Sequence, residues 1–437
     1  MSESAPLVDT PDAPIPAGAE PGWLVGAGGG KLRAALFTPS GRTRGSVVLS
    51  GGRTEPIEKY FETIQDFMDR GFVVLAHDWR GQGLSLREVP DRLKGHAKGY
   101  KSFLEDFRCL LNAYEPRLPK PWVAVGHSMG GCLTLLALAN GERRFSSAVL
   151  CAPMLGLKFG TISPSVAGAL LRLNLLLGRS GRYVMGQPGL PFDDTFEGNA
   201  LTHDPVRFAR YRAQVRANPD IALGSPTWGW LDFALKATAF LAYPERLRGV
   251  TIPVEIVSAA EDQLVDNAGQ AAAARNLPQG RLITVPGAYH EILMETDDMR
   301  NFFMRVFDAL TGKTAPMPAA PPAEAPPAPA TPPVAVAAHA PPPAPKKPAP
   351  KTPAKTSAAK KPAAKKPAAP AVAKPAAKVA PKPKAAPAPA KVAAKSPVKK
   401  AVAKPKPAAK PASASKPPVA KTSTAKKPAP KKPVAKK

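Results

Sequence analysis

Apolar positions along this chain recur in two periods that take turns. Runs of four to six mostly apolar residues, the length of buried strands, fall at 32–37, 46–50, 72–76, 122–125, 148–151, 254–258 and 281–285. Between them lie longer stretches at 56–70, 100–114, 129–140, 267–276 and 297–310, whose apolar residues return every three or four positions as on one face of a helix. Short strands alternating with helices of this length predict a parallel or mixed α/β sheet. From 153 to about 245 the alternation stops: helical segments such as 165–177 and 204–217 are recognisable, with no convincing strand. The expectation is a sheet interrupted after its sixth strand by a helical cap over about 153–245.

Composition changes the picture at both ends. Residues 315–437 hold 33 of the 55 prolines, 27 of the 61 Lys and Arg residues and a single acid, Glu324. That leaves 34 basic and 32 acidic residues in 1–314, so the body is close to neutral and the formal charge of +28 sits almost wholly in the tail. The tail has no Phe, Tyr or Trp. It cannot bury enough apolar surface to offset its chain entropy, and it is expected to be extended and disordered. Residues 1–22, acidic and rich in Pro and Ala, are expected to be a flexible lead-in to a domain spanning 23–314.

The start of the chain has neither the basic stretch nor the apolar core of a signal peptide. No apolar run reaches the ~20 residues that span a bilayer; the longest, 166–177, is broken by Arg172 and Asn174. Cys109, Cys132 and Cys151 have no metal-site or disulfide spacing. A reduced, cytoplasmic protein without metal or cofactor is the expectation, with peripheral attachment to the inner membrane surface left open.

Candidate chemistry begins at Gly126-His127-Ser128-Met129-Gly130-Gly131. The G-x-S-x-G spacing follows an apolar strand directly and opens a helix, which is the context the motif needs. A serine on so tight a strand-to-helix turn requires tiny neighbours two residues to either side. Such a serine needs a base. Of six histidines, His339 is in the tail, His127 is inside the turn with its side chain expected to point elsewhere, His77 and His96 precede the nucleophile, and His203 is in the cap. That leaves His290, just after the last strand. The orienting acid should fall between the two in the chain, where Asp262 and Asp266 follow the strand at 254–258. Asp262 is nearer the strand end, and Asp266 is suited to capping the next helix. An oxyanion hole would use the backbone N–H of Met129 and one from the loop Ser50-Gly51-Gly52-Arg53-Thr54, with Arg53 as the expected second donor.

These residues, together with the run from Asp78 to Ser85, Asp262-Gln263-Leu264-Val265-Asp266, and Gly287-Ala288-Tyr289-His290-Glu291, resemble the monoacylglycerol lipase and lysophospholipase L2 group of α/β-hydrolases. The resemblance covers roughly 23–312 and implies an α/β-hydrolase fold acting on a single acyl ester of glycerol or glycerophosphate, without metal or cofactor. One departure is notable. Monoacylglycerol lipases carry His-Gly at the oxyanion loop, whereas this chain has Gly51-Gly52-Arg53, as the lysophospholipase-like members do. Arg53 either pairs with a phosphate head group or faces solvent. The apolar cap stretch 166–177 either lines an acyl tunnel, rests on a membrane surface or packs within the cap.

A general short-chain esterase or amidase of the same fold is the alternative among enzymes. A different class of reading is a nucleic-acid-associated protein whose role is carried by the tail. The tail's Ala/Pro/Lys composition resembles histone H1-like tails, with Thr352-Pro353-Ala354-Lys355 and Ser396-Pro397-Val398-Lys399 as matching units. Its lysines suit non-specific contact with nucleic acid or with anionic lipid.

Overall fold

The apolar runs assemble into one twisted, mixed sheet of eight strands in the order β1-β2-β4-β3-β5-β6-β7-β8. The structure, a computed structural model, describes residues 4–184 and 195–312. The strands are β1 (Ala19–Val25), β2 (Lys31–Phe37), β3 (Gly45–Ser50), β4 (Phe72–His77), β5 (Trp122–His127), β6 (Phe145–Cys151), β7 (Val254–Ala259) and β8 (Gly280–Val285). β1 and β2 pair antiparallel, as do β2 and β4; every later pairing is parallel. All residues of β3, β4, β5 and β7 are buried. Covered on both faces, a parallel strand reads as a continuous apolar run and not as an alternation.

The helices of the body are α1 (Phe61–Asp69), α2 (Lys101–Tyr114), α3 (Ser128–Ala139), α8 (Asn267–Asn276) and α9 (Asp297–Leu310). They cover two apolar layers. Phe103, Phe107, Trp122, Leu133 and Leu136 lie in one, and Phe61, Phe67, Phe303 and Phe307 in the other. This is the α/β-hydrolase fold. The cap fills the connection from β6 to β7 with α4 (Pro164–Leu176), α5 (Pro205–Ala217), α6 (Trp228–Leu241) and α7 (Pro244–Leu247). α6 eludes the periodicity because it is apolar nearly all round, and it is buried along most of its length, from Trp228 to Leu241.

Two expectations need correction. Residues 4–22 are not a loose lead-in. β1 begins at Ala19 and runs in register with β2 (Trp23 opposite Arg33), and Ala5, Val8 and Thr10 are buried. The cause is Arg33, whose fully buried guanidinium pairs with Asp78 and Glu58, each at 2.7 Å, and donates to the Pro6 carbonyl at 2.9 Å. Glu58 in turn accepts from the Val8 N–H at 3.2 Å. A buried cation must find acceptors, and the N-terminal arm supplies one of them. Second, of the three placements open to the stretch 166–177, the acyl tunnel falls away, since α4 lines no part of the cavity at Ser128 and only its Ala167 and Leu171 are buried. Val166, Leu173, Leu176 and Leu177 are half or more exposed, Leu176 at 86%. The reading of 315–437 as a disordered tail lies outside the described residues.

Ionic contacts tie cap to body. Arg207 and Arg210 of α5 reach Glu62 of α1, each at 2.6 Å. Partial burial raises the Glu62 carboxyl, but the Arg207 hydrogen bond and the charges of Arg300, Arg207 and Arg210 more than offset that and bring it from 4.5 to about 2. A depressed carboxyl contributes stability that is present above the unfolded value and is lost as pH falls through the folded one. Glu62→Gln should therefore lower the urea midpoint at neutral pH, and the gap to wild type should close between about pH 4.5 and pH 2. A gap that stays constant over that range would mean the contact carries no proton linkage.

Candidate active site

β5 ends at His127, and α3 starts at Ser128 with no intervening residue. The turn forces Ser128 to φ = 49°, in the left-handed region that a residue with a side chain rarely adopts. The glycines answer to close approach. A Cβ on Gly126 would stand 2.8 Å from Gly131, and one on Gly130 would run into the Ser50 carbonyl. The strain is held by packing on all sides, and it aims the Ser128 hydroxyl out of the sheet at the N-terminal, positive end of α3.

The structure brings the three residues singled out by chain order into one hydrogen-bonded line. His290 Nε2 lies 2.9 Å from Ser128 Oγ, and His290 Nδ1 lies 2.7 Å from Asp262 Oδ2. The other Asp262 oxygen, Oδ1, accepts from the backbone N–H groups of Leu264 at 2.8 Å and Val265 at 3.0 Å. Burial alone would raise the Asp262 carboxyl. The hydrogen bond and charge of His290, with the two N–H donors, hold it below its ordinary value instead. An ionised Asp262 accepts only, so it fixes the proton on Nδ1 and leaves Nε2 free to accept from Ser128. Asp266 serves a different end, since its carboxylate accepts from the Ala268 N–H at 2.9 Å and caps α8. Glu261 is exposed.

Gly51, Gly52 and Arg53 follow β3 and lie against the turn. A Cβ on Gly52 would sit 3.0 Å from the Cβ of Ser128, so only a glycine lets this loop approach Ser128 so closely. The loop is braced from several directions. Trp79 Nε1 donates to Gly51 O at 3.0 Å, Gln82 Nε2 to Gly52 O at 2.7 Å, and the Thr54 N–H to Gln82 Oε1 at 3.3 Å. The Gly52 N–H donates to the Glu55 carboxylate. Gly52 and Thr54 thus have their N–H groups engaged, which leaves the Arg53 N–H as a candidate donor to a ligand. The Met129 N–H, in the first turn of α3, is its counterpart.

Sequence reasoning leaves one cluster unread. His127 donates from Nδ1 to Glu55 at 2.8 Å and from Nε2 to the carbonyl of His290 at 3.1 Å. Both partners are acceptors, so the ring holds two protons. Burial would lower its pKa, but Glu55 outweighs this and raises it. Burial would likewise raise Glu55, yet His127 and Lys59 hold it well below the usual carboxylate range. Lys59 sits between Glu55 at 2.9 Å and Glu291 at 2.6 Å. One buried charge network thus grips the oxyanion loop through Gly52 and the His290 backbone through His127. Its only local signal is the spacing of four between Glu55 and Lys59. The other histidines among the described residues have their own partners: His77 meets Ser50 Oγ at 3.0 Å, His96 meets Thr227 at 2.9 Å and His203 meets Glu295 at 2.9 Å.

Ser128 and His290 open on a cavity of about 530 Å³. Met154, Leu157, Phe159, Val184, Leu231 and Leu264 give it apolar walls, and Arg53, Gly224 and Trp230 form a polar corner. The cap's share of the lining comes from its loops and α6, α4 contributes none of it, and the rest comes from the body. Among the described residues no cluster of His, Cys, Asp and Glu is arranged to hold a metal ion, and no helix is long and apolar enough to cross a membrane.

A family model described as serine aminopeptidase, S33 (Hydrolase_4) matches residues 41–297. The chain is 30% identical to a probable lysophospholipase L2 of Haemophilus influenzae over 61% of its own length and 83% of the relative's. It is 29% identical to a monoacylglycerol lipase of Mycolicibacterium smegmatis over 63% of its length and 91% of that protein. In fold it is similar to a soluble variant of monoglyceride lipase from Saccharomyces cerevisiae, with a TM-score of 0.54 at 22% identity, covering 68% of this chain and 96% of the other. The chain belongs to the serine aminopeptidase S33 (Hydrolase_4) family of α/β-hydrolases, and it is a serine hydrolase.

Proposed function

We propose that the protein is a carboxylic ester hydrolase that releases a fatty acid from a lysophospholipid or monoacylglycerol through an acyl-enzyme on Ser128. The observation that carries this reading is the hydrogen-bonded line Ser128–His290–Asp262 opening on a largely apolar cavity of about 530 Å³. A cavity with such walls suits an acyl chain and leaves few polar groups for anything else.

The chemistry follows from the donors and acceptors. Ser128 Oγ attacks the acyl carbonyl while His290 Nε2 takes its proton. The tetrahedral oxyanion accepts from the N–H groups of Met129 and Arg53. Collapse breaks the ester bond, and His290 returns the proton to the departing alcohol oxygen. Water enters, gives its proton to His290 and attacks the acyl-enzyme, and the fatty acid leaves as Ser128 recovers its proton. Asp262 remains ionised throughout and balances the imidazolium that forms twice per cycle. The exposed leucines of α4 give the cap a surface suited to the lipid aggregates where such substrates reside. The lysines of 315–437 would add a salt-sensitive attraction to anionic lipid.

A peptide-bond substrate is the second reading, favoured by the description of the matching family as an aminopeptidase. The test is turnover by the full chain of long-chain lysophosphatidylcholine, long-chain monoacylglycerol, p-nitrophenyl acetate and an aminoacyl p-nitroanilide. Preference for either long-chain lipid supports the proposal. Turnover confined to the acetate or the anilide overturns it.

A further inference from the structure

Arg53 carries a positive charge that nothing around it balances. Its Nη2 donates to the carbonyl of Gly224 in the cap, and its guanidinium stands 5.5 Å from the centre of the Trp230 ring. Its Nε is buried without a hydrogen-bond partner. The titratable groups that act on it are the phenols of Tyr211 and Tyr183, and no carboxylate is among them. The acids that share its cavity are already engaged, Glu55 by His127 and Lys59, and Glu291 by Lys59. Lys158, a second cation of that lining, donates to the backbone carbonyl of Asp262. Burial with no compensating acid brings Arg53 down to about 10. A dehydrated cation left unpaired is a cost to the folded chain. An anionic ligand that supplied the missing charge would reverse it.

We infer that Arg53 is the anion-recognition group of the substrate cleft, and that the preferred substrate carries a phosphodiester beside its scissile ester. The inference rests on the ester-hydrolase reading above and narrows it from two substrate classes to the lysophospholipids. Position supports it. Gly52 presses against Ser128, so the side chain of the next residue borders the cavity that holds the nucleophile. In a lysophospholipid only the glycerol carbons separate the ester from the phosphate, so a cation that lines the same cavity as Ser128 and stands at its Gly224–Trp230 corner is suited to meet the head group. The guanidinium fork suits two phosphate oxygens at once, and its ring contact and carbonyl partner hold it in place beforehand.

A structural clamp between oxyanion loop and cap is the competing role for Arg53, and it predicts equal damage to all substrates. The test measures binding to the full chain carrying Ser128→Ala, using non-hydrolysable ether analogues of lysophosphatidylglycerol and of monoacylglycerol with the same alkyl chain. Arg53→Gln should weaken the phosphate-bearing ether roughly 10- to 100-fold more than the neutral one, the scale of a lost charge-assisted hydrogen bond. Arg53→Lys should recover part of the difference. Equal weakening of the two ethers overturns the inference and assigns Arg53 to the clamp. Competition by free fatty acid that depends on Arg53, with no discrimination between the ethers, assigns it to a product carboxylate and overturns it as well. Turnover of the matching esters by the chain with Ser128 intact is read in parallel. Selective binding without turnover would keep the anion site and remove the ester-hydrolase reading.

Discussion

Replacing Ser128 by Ala should lower ester hydrolysis by roughly 10⁴- to 10⁶-fold, to the level that binding and oxyanion donors alone provide. The size of the effect follows from the geometry. Ser128 Oγ is the atom that meets His290 Nε2, at 2.9 Å, and its backbone is held at a positive φ that serves no purpose except to aim it. Alanine at that position keeps the backbone and removes only the hydroxyl proposed as nucleophile. The variant should therefore bind substrate with little change and unfold at an unchanged or slightly higher denaturant concentration. Loss of activity together with a collapse in stability would point to a structural role for the hydroxyl.

Asp262→Asn should cost roughly 10⁴-fold in kcat at neutral pH with little change in KM. The carboxylate makes three hydrogen bonds, to His290 Nδ1 and to the N–H groups of Leu264 and Val265. Asparagine can satisfy the two backbone donors with its carbonyl oxygen, so the loop should keep its shape. Its amide N–H₂ then faces His290, donates where an acceptor is required and stabilises the imidazole tautomer whose Nε2 bears hydrogen. That tautomer cannot take the Ser128 proton. Kinetics alongside a crystal structure of the variant would separate this from misfolding. Retained kcat would leave Asp262 as loop scaffolding and return attention to Asp266.

Local rules made much of this legible from residues alone. G-x-S-x-G is a short-range device whose glycines and strand-to-helix context sit within six positions of one another. Strands buried on both faces announce themselves as apolar runs, and Asp266 reads as a cap because its helix begins at the next residue. What stayed hidden depends on contacts between distant segments. β1 includes Pro21 and Gly22, poor strand formers, and exists because β2 offers it an edge. The N-terminal arm is drawn in by Arg33, Glu58 and Asp78, which come from three different elements. The network of Glu55, Lys59, His127 and Glu291 joins positions up to 236 apart in number and has no periodicity to betray it. α4 shows the same limit. Its sequence leaves tunnel, membrane surface and cap packing open, and only the fold shows Leu171 buried while Leu173 and Leu176 face out.

These hidden contacts bear on the chemistry. Gly52, next to the expected oxyanion donor, and the backbone of His290 are both held by the charge network around Glu55. The line of Ser128, His290 and Asp262 therefore rests on a frame whose parts come from the segment after β3, the end of β5 and the segment after β8. Such preorganisation lets donors stand ready before charge develops on the substrate.

The proposed reaction requires Ser128 to be the nucleophile. Labelling settles that point: the mass of the intact chain is measured after treatment with a fluorophosphonate, followed by peptide mapping. A single adduct is expected on the peptide containing Ser128, absent from Ser128→Ala and formed far more slowly in Asp262→Asn. An adduct on another residue, or none on a chain that still hydrolyses esters, would contradict the assignment.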